Sequence, residues 1–241
     1  MKIAIIPARG GSKRIPRKNV RKFHGKPMIG WAIEAAHRSG CFDHVIVSTD
    51  DAEIAEIARD FDALCPFVRP QNLADDFTPL VPVVRHALTE TMAGLGAVDH
   101  VCCILPTAPL MRSTDLRDCY DVLQAGRNTY VLPVTSFPYP IQRAVKKLHD
   151  GRITMFEPDH YLTRSQDLEE AFHDAGQFYW ASTETWMLKD QLFDKDAFGF
   201  EIPRSYVQDI DTMEDWHYAE MQFLLLNQLK AATLGHDQEG C

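Results

Sequence analysis

Four short apolar runs punctuate the first half of the chain, at residues 3–6, 45–48, 101–105 and 130–134. Each is nearly continuous rather than alternating, the pattern of a strand buried on both faces. Between them the apolar positions change to helical spacing. Residues 27–38 place Met28, Trp31, Ala32, Ala35 and Ala36 on one face, and residues 51–61 repeat Ile54, Ile57, Ala58 and Phe61. Asp50 is expected to cap the second of these helices. Two more helical patterns follow at residues 79–91 and 114–123, the latter with Ser113 as its expected cap. Strand and helix alternating four times predict an α/β fold with a doubly wound, mostly parallel sheet.

The alternation breaks at residue 136. Pro138, Pro140 and Pro158 exclude a long regular helix over residues 136–175. The stretch is also too long for a simple loop, so it reads as a small insertion within one domain spanning residues 1–241. Residues 176–181 return to the sheet, 206–210 read as a further strand, and 212–230 as an amphipathic helix before a frayed tail.

Charge sharpens this picture. The chain has 241 residues, 25 basic and 34 acidic, for a net charge of −9. Wholesale nucleic-acid binding is therefore disfavoured. Yet residues 1–26 carry nine Lys or Arg and no Asp or Glu. An acidic protein that concentrates positive charge in one short segment has a small anion to hold there. No run of 18 apolar residues suggests a membrane span, and the first apolar run is too short for a signal peptide. The six cysteines show neither C-x-x-C spacing nor zinc-like grouping with histidine, which implies reduced thiols and a cytoplasmic protein.

The basic segment follows the first strand as Ala8-Arg9-Gly10-Gly11-Ser12-Lys13, with Lys18-Asn19 beyond. Paired glycines let backbone N–H groups approach an anion, and Arg9, Lys13 and Lys18 can neutralise a polyphosphate while Ser12 donates its hydroxyl. In an open α/β sheet this loop lies at the carboxyl end of its strand, where ligands bind. Neither a Walker loop nor G-x-G-x-x-G is present, because Ile15 stands where the Walker pattern needs its second glycine.

This loop, with Gly25-Lys26-Pro27-Met28-Ile29, Val47-Ser48-Thr49-Asp50, Arg69-Pro70, Pro106-Thr107-Ala108-Pro109-Leu110 and Asp209-Ile210-Asp211-Thr212, resembles the cytidylyltransferases that activate acidic eight- and nine-carbon sugars. The ordered set covers nearly the whole chain. Within that family, residues 163–168 and 174–180 are similar to the branch acting on pseudaminic acid, a nonulosonic acid. Leu105 stands where the sialic acid enzymes usually have glutamine, which argues against N-acetylneuraminate.

The resemblance implies a Rossmann-like nucleotidyltransferase fold and attack by the sugar's anomeric hydroxyl on the α-phosphorus of CTP, with pyrophosphate leaving. It assigns Asn19 and Arg69 to the nucleotide beside the first loop. Asp209 and Asp211 are the metal candidates: at a strand end, residues i and i+2 point the same way, and two carboxylates suit Mg²⁺. The competing reading makes Asp211 the cap of the last helix, with Glu214 completing a capping box. Leu105, Gln177, Tyr179, Arg143 and Arg164 are the sugar-side candidates. By resemblance the insertion pairs two subunits and delivers Arg143 and Arg164 into the partner's site, so a homodimer is expected. The alternatives are the same reaction on N-acetylneuraminic acid or another nonulosonate, and a non-catalytic module that holds nucleotide or RNA phosphate through the basic loop alone.

Overall fold

The structure, a computed structural model, describes residues 1–126 and 128–236. Its first half runs β1 (Lys2–Pro7), β2 (Lys22–Phe23), β3 (Lys26–Pro27), α1 (Met28–Ser39), β4 (His44–Ser48), α2 (Ala52–Asp60), α3 (Leu80–Leu95), β5 (His100–Ile104) and α4 (Ser113–Ala125). The second half runs β6 (Tyr130–Ser136), β7 (Val145–Lys147), β8 (Ile153–Met155), β9 (Phe172–Asp174), β10 (Phe178–Ser182), α5 (Thr183–Leu188), β11 (Phe198–Glu201) and α6 (Met213–His236).

One seven-stranded sheet carries the fold, in the order β11-β6-β10-β5-β1-β4, with β9 also on β6. The pairs β1–β4, β1–β5 and β6–β11 are parallel, whereas β10 is antiparallel to both neighbours and β9 to β6. Five strands therefore point one way, and the expected mostly parallel sheet is present with a reversed strand in its middle. Helices α1, α2 and α4 bury their apolar faces on one side, around Ile33, Ile54 and Leu116. α3 and α5 cover the other, around Val84, Leu88 and Trp186. This two-sided burial is why the central strands read as unbroken apolar runs.

Three expectations need correction. Residues 206–210 form no strand: a 3-10 turn at Arg204–Tyr206 leads into irregular backbone. Instead β11 and β9 pair with β6; both are short and partly exposed, so their apolar pattern is weak. Ser113 lies inside α4 rather than capping it. Finally, α6 runs on to His236, past the expected fraying point at 231, while residues 237–241 lie outside the described residues. It is also less amphipathic than expected. Trp216 and Ala219 pack on Ile15, Phe23 and Met28, but Met221, Leu224 and Leu225 face solvent.

The segment between β6 and β9 is an excursion from the sheet. It holds a two-stranded hairpin, β7–β8, and three 3-10 turns. Its surface exposes Tyr139, Phe156, Tyr161 and Leu162.

Candidate active site

Because β1, β4 and β5 are parallel, their carboxyl ends open on one edge of the sheet, and the basic loop sits there. Its path is fixed by backbone bonds. Ala8 N–H donates to Ser48 O at 2.9 Å, and Gly10 N–H donates to Asp50 Oδ1 at 3.0 Å. A Cβ on Gly10 would lie 2.5 Å from Asp51 Oδ2, so the loop's close approach to α2 needs glycine there, whereas Gly11 faces open space. Asp51, not Asp50, caps α2, accepting from Glu53 N and Ile54 N. Asp50 is thereby left to hold the loop. Asn19 closes the loop from the other end: its Nδ2 donates to Arg9 O at 3.0 Å, and its buried Oδ1 has no partner.

The loop forms one wall of a cleft of about 520 Å³ that Arg9, Ser12, Lys13, Lys18, Asn19 and Arg69 all line. Six of the expected nucleotide-side residues therefore meet around a single space. Arg69 is buried, with Nε donating to Ser48 Oγ at 3.1 Å and Nη2 to Ser48 O. Burial lowers its pKa to about 10 and Asp50 opposes the shift, so it stays cationic at neutral pH. Leu105, Pro106 and Thr107 form the far wall.

Asp209 and Asp211 face a neighbouring hollow of about 490 Å³, shared with Asp174 and Asp215. Lys18 joins the two spaces. Its Nζ donates to Ile210 O and lies 3.8 Å from Asp211 Oδ1. Burial lowers the Lys18 pKa, opposed by Asp211 and Asp209. Arg14, which sequence reasoning passed over, pairs with Asp211 at 2.7 Å. Desolvation raises the Asp209 carboxyl first, and the negative charge of Asp211 raises it further.

The two carboxylates are thus brought together by irregular backbone rather than by strand alternation. Nor does Asp211 cap α6. Thr212 Oγ1 accepts from Asp215 N at 3.3 Å, and Asp215 Oδ2 accepts from Thr212 N at 2.7 Å and Asp211 N at 3.1 Å. That reciprocal cap leaves the Asp211 carboxylate for other partners. A like-charged pair of hard oxygen donors fits Mg²⁺, which takes one or two carboxylates and completes its shell with water and phosphate oxygens. Among the described residues no group of three or more His, Cys, Asp or Glu is placed to hold a metal. The pair would therefore rely on oxygens from outside the protein.

Of the residues expected to meet the sugar, Leu105 donates its N–H to Gln177 O at 2.7 Å, where β9 and β10 are separated by a bulge at Gly176 (φ 62°). Gln177 is buried and its Nε2 donates to Tyr206 O at 2.7 Å, tying this bulge to the Asp209 segment. Tyr179 is buried as well, its hydroxyl donating to Asp174 Oδ2 at 2.6 Å. Burial and then Asp174 raise its pKa. Arg143 and Arg164 lie apart in the excursion: the former donates to Thr163 O, the latter to Asp167 Oδ2 at 2.8 Å. Within one chain they are not brought to the cleft. Sequence reasoning also missed Asp76, which pairs with Arg9 and Lys13; an acid in a loop gives no sign of whose cations it meets.

Comparison with known proteins places the chain's sequence and fold. The family model described as Cytidylyltransferase matches residues 3–236. A pseudaminic acid cytidylyltransferase of Campylobacter jejuni is 43% identical over 221 residues, 92% of this chain and 95% of its own. The CMP-N,N'-diacetyllegionaminic acid synthase of Legionella pneumophila is 28% identical, over 94% of this chain and 97% of its own. A solved CMP:2-keto-3-deoxy-manno-octonic acid synthetase complexed with CTP shares the fold, with a TM-score of 0.66 at 17% identity, covering 94% of this chain and 99% of that one. A profile spanning nearly the whole chain and a relative of nearly equal length leave one assignment: the chain belongs to the cytidylyltransferase family.

Proposed function

We propose that this chain transfers CMP from CTP to the anomeric hydroxyl of pseudaminic acid, releasing pyrophosphate and forming CMP-pseudaminic acid. The observation that carries the reading is the meeting, at Lys18, of a basic cleft and a carboxylate pair. A module that merely held phosphate would have no use for Asp209 and Asp211 beside its cations. Family membership and the relative acting on pseudaminic acid support the reaction and the sugar class.

Catalysis here is mostly positioning and electrostatics, because charge gathers on phosphoryl oxygens as the α-phosphorus is attacked. Arg9, Ser12 and Lys13 would receive the outer phosphates, with backbone N–H groups of the Gly10–Gly11 turn beside them. Lys18 is held against Ile210 O, aimed between triphosphate and carboxylates. Asn19 and Arg69 would hold the nucleoside end. Asp209 and Asp211 would hold a magnesium ion, whose charge would neutralise the triphosphate. Leu105, Gln177 and Tyr179 shape the sugar wall, and the committed bonds of the last two keep it rigid.

We read the excursion over residues 136–175 as the contact between two subunits of a homodimer, bringing Arg143 and Arg164 toward the partner's sugar site. No helix among the described residues is long and apolar enough to cross a membrane. Cys41, Cys65, Cys102, Cys103 and Cys119 are unpaired thiols, which supports a cytoplasmic placement.

The test is a panel of sugar acids with CTP, following CMP-sugar formation. High activity with pseudaminic acid and little with N-acetylneuraminic acid is expected. Leu105 cannot offer a glutamine's hydrogen bonds, and each polar group left unpaired costs about 1–3 kcal/mol. Equal efficiency on both sugars would remove the pseudaminate assignment and keep the cytidylyl transfer. No product with any sugar acid would remove both.

A further inference from the structure

Two cations of the nucleotide cleft, Arg9 and Lys13, are already engaged by one carboxylate. Asp76 Oδ1 lies 2.6 Å from Arg9 Nη1, and its other oxygen pairs with Lys13 Nζ. Both bonds hold the Asp76 pKa low. This carboxylate does not come from the basic loop. It stands on the connection into α3, and that connection is built to present it. Asp75 Oδ1 accepts from Phe77 N at 2.9 Å and from Thr78 N and Oγ1, both at 2.7 Å. Ala74 is buried beneath the turn, and its N–H donates to Gln71 O at 3.1 Å. The Asp76 side chain keeps only about a quarter of its surface exposed. It lines the same cleft as Arg9, Ser12, Lys13 and Lys18, the groups that would hold a triphosphate.

We propose that Asp76 is a built-in competitor that the incoming polyphosphate must displace from Arg9 and Lys13. The proposal rests on the nucleotide-site reading above. Any phosphate that takes these two cations breaks the same two ion pairs, so each binds more weakly by the same fixed penalty. The return still depends on the charge of the anion that replaces the carboxylate, since Coulomb energy scales with charge, and a triphosphate returns the most. Asp76 therefore lowers the affinity of substrate and of leaving pyrophosphate alike, and it reclaims Arg9 and Lys13 as pyrophosphate departs. No proton or covalent bond is involved; one anion replaces another.

The experiment is calorimetric titration of the full-length chain, without sugar acid, using CTP, CMP and inorganic pyrophosphate as separate probes. Wild type is compared with Asp76→Asn, which keeps the shape and removes the charge. Exposed ion pairs are worth up to about 1 kcal/mol, so CTP and pyrophosphate should each bind Asp76→Asn roughly 5-fold tighter, and CMP, whose single phosphate takes fewer of these cations, should gain less. High salt should shrink the difference between the two proteins. Unchanged affinity for both CTP and pyrophosphate overturns the proposal. So does a selective loss of CTP affinity in Asp76→Asn, which would make the carboxylate part of the CTP site. Wild type that binds CMP and CTP nowhere would instead overturn the nucleotide-site reading itself.

Discussion

Lys18 stands between the basic cleft and the carboxylate pair, held by Ile210 O and facing Asp211. Replacing it with alanine removes a charge-assisted contact worth about 1.5–3 kcal/mol, so Lys18→Ala should lose on the order of 10- to 100-fold in kcat/KM. Arg9→Ala should lose less, because Asp76 already occupies its guanidinium. Steady-state pyrophosphate release measures both, and equal small losses would return the loop to a solvated role. Asp209 makes a prediction of opposite sign for stability and activity. A carboxyl raised in the folded chain binds its proton more tightly there than when unfolded. It therefore favours folding below the unfolded pKa, and that contribution is lost as pH rises through the raised value. At neutral pH without metal, Asp209→Asn should melt higher than wild type, and the difference should vanish at acid pH. Turnover should nonetheless fall, by roughly 100-fold or more, because a metal's charge stabilisation is worth several kcal/mol. Melting curves across pH with and without Mg²⁺ decide this; an unshifted wild-type curve on adding Mg²⁺ would remove the metal assignment.

At the scale of elements, the junction before α6 is the critical joint. Thr212 and Asp215 cap the helix reciprocally, and the same cap fixes the backbone N–H of Asp211. Thr212→Ala should cost about 1 kcal/mol of stability, the usual loss for a cap. It should also lower kcat more than a surface change would, since the carboxylate pair loses its anchor. Thermal melting and steady-state kinetics read the two effects separately. Elements buried on both faces were legible from sequence, because burial writes itself as unbroken apolar runs. β9 and β11 were not, being short strands with exposed residues such as Phe172 and Phe198. Residues 206–210 misled in the other direction. Val207 and Ile210 suggest a strand, but no strand among the described residues pairs with them; Ile210 is buried because it packs beside Trp216. The basic loop's place beside a cleft was legible from its glycines, its cations and its position after the first strand. The partners of its cations, Asp76 and Asp211, were not, since both contacts join distant segments.

For the whole molecule, the open question is what the excursion between β6 and β9 touches. Arg143 and Arg164 are far from complete as sugar ligands within one chain, each bonded to its own segment. If two subunits share sites, mixing should restore what each variant lacks. An Arg143→Ala/Arg164→Ala chain and an Asp209→Asn chain, each weakly active alone, should regain activity on co-refolding or prolonged mixing. A random mixture of subunits would return about a quarter of the wild-type sites. Absence of recovery from a proven mixed dimer would place both arginines outside the partner's site.

The excursion departs and returns at the two sides of one ladder's last rung, for Ser136 and Phe172 are registered opposite each other on β6 and β9. Its two ends therefore already stand a strand's spacing apart, and a tight glycine-containing turn could join them without disturbing the sheet. In engineering terms the protein is a socket carrying an exchangeable plug. Excising residues 137–171 across such a turn should leave a soluble core that keeps its cooperative melt and its affinity for CTP. Self-association and transfer to the sugar should be lost together. Grafting a relative's segment onto the same rung would then ask whether substrate range travels with the plug or stays with the socket.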